Sequence, residues 1–369
     1  MSWAELHSES ERLAIEARSA MRARDFGRAF DLYKRAAEFE WQALDQLDPS
    51  KVRTRGITAV SAVALWFKAG EYNLAEQQAH SMLADPHIPD FAREGLRNLV
   101  QAIWTESSKR EAGVAFVPGQ VMVSVKGGEV VTGGAPLDLI VDKVQTIQAM
   151  FYRTIEFMNG VSHRRAGRPA KELQDACRPW LFQAAPGSYQ FSVAIQKPAQ
   201  PDFFKQDIKP ERIAQHFLEI VGASSGEDTA ELAKVVPDEK YRSTFLKLAR
   251  NLAPTGKTFE RIELHASGET RPVALGVGSR ANINQQLRML PGTPTAVGAV
   301  IEELRGILRA VHLDKDWLDV VVDGVSVHVV GLQDTVDDVI GPMVNRSVIV
   351  RVVRIPRRRP KFTDIELAE

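Results

Sequence analysis

The stretch Arg178-Pro179-Trp180-Leu181-Phe182-Gln183-Ala184-Ala185-Pro186-Gly187-Ser188-Tyr189-Gln190-Phe191-Ser192-Val193-Ala194-Ile195 decides how the centre of the chain is read. Tyr189, Phe191, Val193 and Ile195 recur two apart, with Gln190, Ser192 and Ala194 between them. That is the period of a half-buried strand. Pro186 fixes φ and Gly187 tolerates positive φ, so Pro186-Gly187-Ser188 reads as a turn between two strands. The expectation is a hairpin at the centre of a middle domain, and it carries no catalytic residue type.

Working outward, Val121, Val123 and Val125 alternate with Gln120, Met122 and Ser124, a second strand pattern. Lys126-Gly127-Gly128 reads as a turn and Glu129-Val130-Val131 as a short strand. Apolar residues at helical spacing from Leu137 to Met158 predict a long helix buried against a sheet. After the hairpin, Glu211 to Val221 and Asp238 to Leu252 read as amphipathic helices. Phe259 to Leu264 and Pro272 to Val277 read as closing strands, and Ala281 to Leu290 as a last helix. Strands and helices in separate runs imply an α+β domain over residues 113–292.

The chain has 369 residues, 44% of them hydrophobic, with 47 basic and 47 acidic side chains. That length implies two or three domains. A zero net charge argues against a global nucleic-acid or membrane field and leaves room for local patches. The single Cys177 excludes an intramolecular disulfide framework and a Cys-rich zinc site. No uninterrupted apolar run reaches membrane-span length. The opening Met1-Ser2-Trp3-Ala4-Glu5 has neither a basic nor an apolar leader region. The expectation is a soluble cytoplasmic protein with no membrane partner.

Residues 1–112 read as helical throughout, with breaks near Arg24-Asp25, Asp48-Pro49-Ser50, Ala69-Gly70 and Asp85-Pro86. Asp48-Pro49 reads as a helix start, Asp as N-cap and Pro at the first helical position. Asp25-Phe26-Gly27-Arg28-Ala29 with Tyr33 and Ala36 resembles the second helix of the tetratricopeptide repeat. Gly70-Glu71-Tyr72-Asn73-Leu74-Ala75 with Ala79 is a weaker second copy. The copies lie farther apart than the ~34 residues of a contiguous array. The resemblance implies stacked helical hairpins with a face for a protein partner.

Past a Pro291-Gly292-Thr293-Pro294-Thr295 linker, residues 293–369 read as strand (Arg305 to Leu313), strand (Trp317 to Val322), an Asp323-Gly324 tight turn and strand (Val325 to Val330). A short helix (Asp334 to Ile340) and two more strands (Arg346 to Ile355, Lys361 to Leu367) follow. By element order this resembles a small OB-like or SH3-like barrel. The tip between the last two strands is Pro356-Arg357-Arg358-Arg359-Pro360-Lys361, and no acid intervenes from Arg346 to Lys361. Arg351, Arg354, Arg357, Arg358, Arg359 and Lys361 are therefore candidates for phosphate contact, with Trp317 and Phe362 as the available stacking aromatics. A second basic run, His163-Arg164-Arg165-Ala166-Gly167-Arg168-Pro169, resembles the Gly-Arg-Pro core of an AT-hook, with Arg165-Ala166 in place of the usual arginine-glycine pair. It makes Arg164, Arg165 and Arg168 candidates as well.

Three further motifs lack the context that their chemistry needs. Gly256-Lys257-Thr258 has Asn251 where a P-loop needs its first glycine. Gly276-Val277-Gly278-Ser279 reads as a plain strand-to-helix turn. Asp238 and Glu239 read as the acidic start of a helix. No Ser/His/Asp nucleophile motif occurs, no pair of the eight histidines has metal-ligand spacing, and no cofactor loop is complete. The leading expectation is a non-enzymatic adaptor or scaffold subunit that binds a protein partner through its helical repeats and needs no cofactor. One alternative is a nucleic-acid-binding regulator using the barrel and the basic loop. Another is an enzyme with a site in the middle domain. Oligomeric state is not read from the sequence.

Overall fold

A computed structural model describes residues 2–368 except 24, 117–118, 132–133, 183–188, 198–211, 267–271, 291–300, 333–335 and 355–357. The expected Pro186-Gly187-Ser188 turn, the 291–295 linker and Arg357 fall outside the described residues. The fold is mixed α+β: a run of helices comes first, and strands interspersed with helices follow. It divides into two compact units, one built mainly on Met1–Val114 and the other on Ala115–Leu181 and Ser188–Glu369. Among the described residues no helix is long and apolar enough to cross a membrane.

Among the described residues the first unit is five helices: α1 (Trp3–Arg22), α2 (Phe26–Asp45), α3 (Val52–Lys68), α4 (Tyr72–Ala84) and α5 (Asp90–Glu111). Ser2 and Glu5 start α1 with a reciprocal capping box, and Asp25 starts α2 by accepting from the Arg28 N–H. Small side chains set the packing distance. Ala17 of α1 and Ala29 and Ala36 of α2 are wholly buried, with Tyr33 and Leu13 filling the space beside them. Ala75 and Ala79 do the same for α4 in the cluster that α3, α4 and α5 share with Trp66, Leu96 and Ile103. Asp48-Pro49 does not start a helix; α3 begins at Val52. The Asp48 carboxylate accepts from both the backbone N–H and the hydroxyl of Ser50, which spends its capping capacity on a turn.

The second unit contains a five-stranded sheet, β1 (Val121–Lys126), β2 (Pro179–Phe182), β3 (Tyr189–Ile195), β4 (Arg261–Ala266) and β5 (Val273–Gly276), in the order β2-β3-β1-β4-β5. The expected hairpin, β2 and β3, lies at one side of this sheet, and the central strand is β1. β1 pairs antiparallel with β3 through Val123↔Phe191 and with β4 through Val123↔Leu264. Glu129-Val130-Val131 forms no named strand, only a bridge from Val131 to Gly134. Both faces of β1 and β3 are buried: Val121, Val123, Phe191 and Val193 on one, Ser124, Ser192 and Ala194 on the other. Serine and alanine tolerate either environment, so period two alone could not tell a half-buried strand from a fully buried one.

Among the described residues six helices accompany the sheet: α6 (Leu137–Met158), α7 (Lys171–Ala176), α8 (Arg212–Ser225), α9 (Thr229–Val235), α10 (Glu239–Leu252) and α11 (Val277–Met289). Phe151 of α6 and Phe217 of α8 stack with ring centroids 4.2 Å apart, both fully buried. Asp238 caps α10 by accepting from the Tyr241 N–H at 2.9 Å, which accounts for the acid at that position.

The rest of the unit is a closed five-stranded barrel: β6 (Ile301–His312), β7 (Trp317–Val322), β8 (Val325–Val330), β9 (Ser347–Val353) and β10 (Lys361–Leu367), in the order β10-β8-β7-β6-β9. A short helix, α12 (Asp337–Ile340), lies between β8 and β9. β8 and β10 run parallel, while the other neighbours in the barrel run antiparallel. Leu308, Leu318, Val320, Val329, Val350 and Phe362 fill the inside. Gly306 lets β6 bend: a Cβ there would lie 2.2 Å from the Val321 carbonyl oxygen, and the β6–β7 register shifts just beyond, between Leu308 and Ala310. Sheet and barrel residues belong to one continuous hydrophobic cluster.

Two charge networks join the barrel to the rest of this unit. Fully buried Arg153 of α6 donates to Asp338 of α12 at 2.7 Å and to the Arg164 carbonyl at 2.7 Å. Fully buried Arg250 of α10 donates to both carboxylate oxygens of Asp364 on β10 and to the Ile365 carbonyl. Arg280 of α11 reaches Glu366 at 2.9 Å.

Candidate functional site

Alternation along the barrel hairpin sorts its side chains. Leu318 and Val320 of β7 and Val329 of β8 point inward and are wholly buried. Trp317, Asp319 and Val321 of β7, with Ser326, His328 and Val330 of β8, therefore point outward. The register sets Trp317 opposite Val330 and Asp319 opposite His328, and sets His312 of β6 opposite Trp317. Lys361 of β10 lies beside Val330 on the other flank, exposed, while its neighbour Phe362 is buried inside. The outcome is one row across four strands: His312, Trp317, Val330, Lys361.

The aromatic part of that row is continuous. The Trp317 ring centroid is 5.7 Å from that of His312 and 5.1 Å from that of His328. His328 Nδ1 meets the Asp319 carboxylate at 2.7 Å, so Nδ1 is the donor and Nε2 is left free to accept in the neutral ring. His312 is the reverse: its Nδ1 accepts from the Lys315 N–H at 3.2 Å, which puts the proton of the neutral ring on Nε2. The platform thus carries one accepting and one donating edge, and its only acid on β7 is already bonded to histidine.

Backbone contacts bring two loops to the same end of the face. The Gly331 N–H donates to the Asp316 carbonyl at 2.8 Å, and the Val330 N–H to the Pro360 carbonyl at 3.0 Å. Gly331 has φ +91, and a Cβ on it would lie 3.2 Å from Lys361 Cγ. Any other residue there would be strained and would crowd the lysine. The segment carrying Arg358, Arg359 and Lys361, all exposed, is therefore tied next to Trp317.

The remaining basic residues fall into two groups. Arg351 bonds Glu303, Asp364 and Glu366, and Arg354 bonds Glu302. Their charges are matched by carboxylates on neighbouring strands. Arg164 bonds Glu156 at 2.8 Å and Asp338 at 2.9 Å, with Asp337 nearby at 3.6 Å. Arg165 bonds the Asp316 carboxylate and the Leu332 carbonyl. Arg168 is exposed. The basic loop is thus fastened to the barrel through Arg164 and Arg165.

Sequence reasoning singled out Trp317 and the arginine tip but missed His312, Asp319 and His328. The signal was present: pairing 317–322 with 325–330 about the Asp323-Gly324 turn puts Asp319 against His328. Phe362 faces the barrel interior, so it offers no stacking surface. Among the described residues no group of His, Cys, Asp or Glu is arranged to hold a metal ion. On the helical unit, Phe26 and Phe30 of α2 are 51% and 43% exposed. They lie one turn apart, on the stripe that farther along buries Tyr33 and Ala37.

No protein-family model matches the chain, and no significant match is found among curated proteins or solved structures.

Proposed function

We propose that the protein binds single-stranded nucleic acid on the outer face of its C-terminal barrel. The observation that carries this reading is the row His312–Trp317–Val330–Lys361, with Arg358 and Arg359 beside it. Trp317, flanked by His312 and His328 rings inclined to it by 44° and 34°, offers an aromatic face on which a base can stack without regard to sequence, and neighbouring cations hold the backbone phosphates. The strand order, the parallel β8–β10 pair and the helix between β8 and β9 support an OB-type barrel. In that fold the face of strands two and three and the loops after strands one and four bind oligonucleotides. Those elements correspond to β7, β8 and the segments around Lys315 and Arg359. A neutral chain with one local basic tip suits a module that engages a short stretch of strand.

The test is fluorescence anisotropy with a labelled single-stranded oligonucleotide at ~50 mM salt. Trp317→Ala weakens binding by ~1–3 kcal/mol, the worth of one stacked base. Replacing Arg357, Arg358 and Arg359 with alanine weakens it and flattens the salt dependence by ~0.7 for each phosphate no longer neutralised. Wild-type protein that leaves the oligonucleotide free sinks the reading.

A second role, docking of a protein partner by the helical unit, is favoured by exposed Phe26 and Phe30 at the head of a tetratricopeptide-like hairpin. Paired aromatics at the end of a packed stripe suit an apolar segment of another chain. Its test compares partners captured by the wild type with those captured by a Phe26→Ser, Phe30→Ser variant of equal stability. Identical partner sets would remove this role.

A further inference from the structure

The inference concerns Arg165 and rests on the nucleic-acid reading of the barrel face. Asp316 immediately precedes Trp317 and has φ +59. Its backbone is fixed on both sides: its N–H donates to the Leu313 carbonyl at 3.2 Å, and its carbonyl accepts from the Gly331 N–H at 2.8 Å. A carboxylate is therefore held at the edge of the aromatic platform, where a strand's phosphates would pass. Asp319, the acid on β7, is bonded to His328, and Asp314 of the same loop as Asp316 is exposed. The partner of Asp316 comes from far away in the chain: the Arg165 guanidinium bonds its carboxylate.

One guanidinium nitrogen of Arg165 is committed twice to the barrel. The same terminal nitrogen donates to the Leu332 carbonyl at 2.9 Å, and the Arg165 carbonyl accepts from the Asp337 N–H at 3.1 Å. The loop on either side is pinned as well. Arg164 is spent on Glu156 and Asp338, and the Gly167 N–H donates to Asp337.

We propose that Arg165 is a masking residue: it neutralises Asp316 so that a polyanion can cross the barrel face, and it does not itself ligate phosphate. This makes the 163–168 loop a positioning element for the barrel site. Arg165→Ala would unmask the carboxylate next to Trp317 and set it against the strand.

The experiment is the anisotropy titration on the full chain with a labelled oligothymidylate, for wild type, Arg165→Ala, Asp316→Asn and the double variant. Asparagine accepts positive φ almost as readily as aspartate, so Asp316→Asn keeps the turn. Arg165→Ala is expected to raise Kd about three- to tenfold through repulsion at the edge of the site, with the salt slope unchanged. The double variant is expected to return to within about twofold of wild type, because no charge is left to mask. Asp316→Asn alone is expected to bind at least as tightly as wild type. A double variant as weak as Arg165→Ala, a slope lowered by ~0.7 in Arg165→Ala, or weaker binding by Asp316→Asn overturns the masking role while leaving the site itself standing. Wild-type protein that does not bind overturns both.

Discussion

Arg250 and Asp364 meet as a two-pronged pair, the guanidinium nitrogens 2.6 and 2.9 Å from the two carboxylate oxygens, with the arginine wholly out of solvent. Burial by itself pushes the Asp364 carboxyl up. The Arg250 charge and hydrogen bonds, helped by Lys247 and Arg351, more than offset this and hold it below its ordinary value of 3.8. Removing Asp364 strands the wholly buried Arg250 charge, whereas Asp364 without Arg250 would still meet Arg351 at 2.9 Å. Asp364→Ala should therefore destabilise the protein by ~3–5 kcal/mol, while replacing both Asp364 and Arg250 by apolar residues of similar size should cost much less. Chemical denaturation of the three proteins checks it. A double replacement as harmful as the single one would mean that the pair itself, and not the stranded charge, is what matters.

A second expectation concerns pH. His163 is held down to about 4, first by burial and then by the neighbouring Arg153 charge. Its Nε2 lies 2.9 Å from the Thr244 hydroxyl. The folded state keeps this ring neutral while the unfolded chain takes a proton near the ordinary value of 6.5. Its contribution is therefore complete above 6.5 and is lost as the pH falls toward 4. Asp364 adds a further loss, starting below 3.8. Denaturant midpoints at several pH values should fall through both windows. His163→Gln should flatten the upper window alone, and an unchanged profile in that variant would contradict the assignment.

Cys177 is buried, and burial alone pushes its thiol up to about 12 from an ordinary 9.0. Only the thiolate attacks an aromatic disulfide reagent. Native protein should label about a thousandfold more slowly than unfolded protein on thiolate fraction alone. Since it is the single cysteine of the chain, its labelling rate reports opening of the sheet unit. Rapid labelling of native protein would show that this part of the core opens readily.

Phe191 is 3% exposed and belongs to the core of the sheet unit. Phe191→Ala should cost ~3–5 kcal/mol, and Gln190→Ala, at a partly exposed position, should cost far less. Thermal melts of the two variants distinguish them, and equal shifts would be incompatible with the strand's observed orientation.

The longer helices and the barrel strands were legible to within a few residues because they rest on local signals, whereas α7 and α9 were not read and α3 starts at Val52 instead of at Asp48-Pro49. Apolar spacing marks α6 and α10, and Asp323-Gly324 marks the β7–β8 hairpin. The place of the 178–195 hairpin was not legible. Period two reports which face a side chain takes and says nothing about which strand lies next to it, so β1 emerged as central only from its pairings with β3 and β4. The arginines show the same limit. A run without acids looks free in sequence, yet Arg351 meets Glu303, Asp364 and Glu366, and Arg165 meets Asp316. These partners are distant in the chain, and charge patterning read along a sequence cannot anticipate them.

Asp364 follows Arg250 by 114 residues. A ribosome making ~5–20 residues per second would leave α10 without its counter-charge for on the order of ten seconds. During that interval a buried Arg250 would be uncompensated, so α10 cannot settle into its final place before β10 has emerged. The same late strand pairs with β8 and β9, so the barrel too must wait for it. The nascent chain therefore carries an incompletely packed apolar layer for most of its later synthesis.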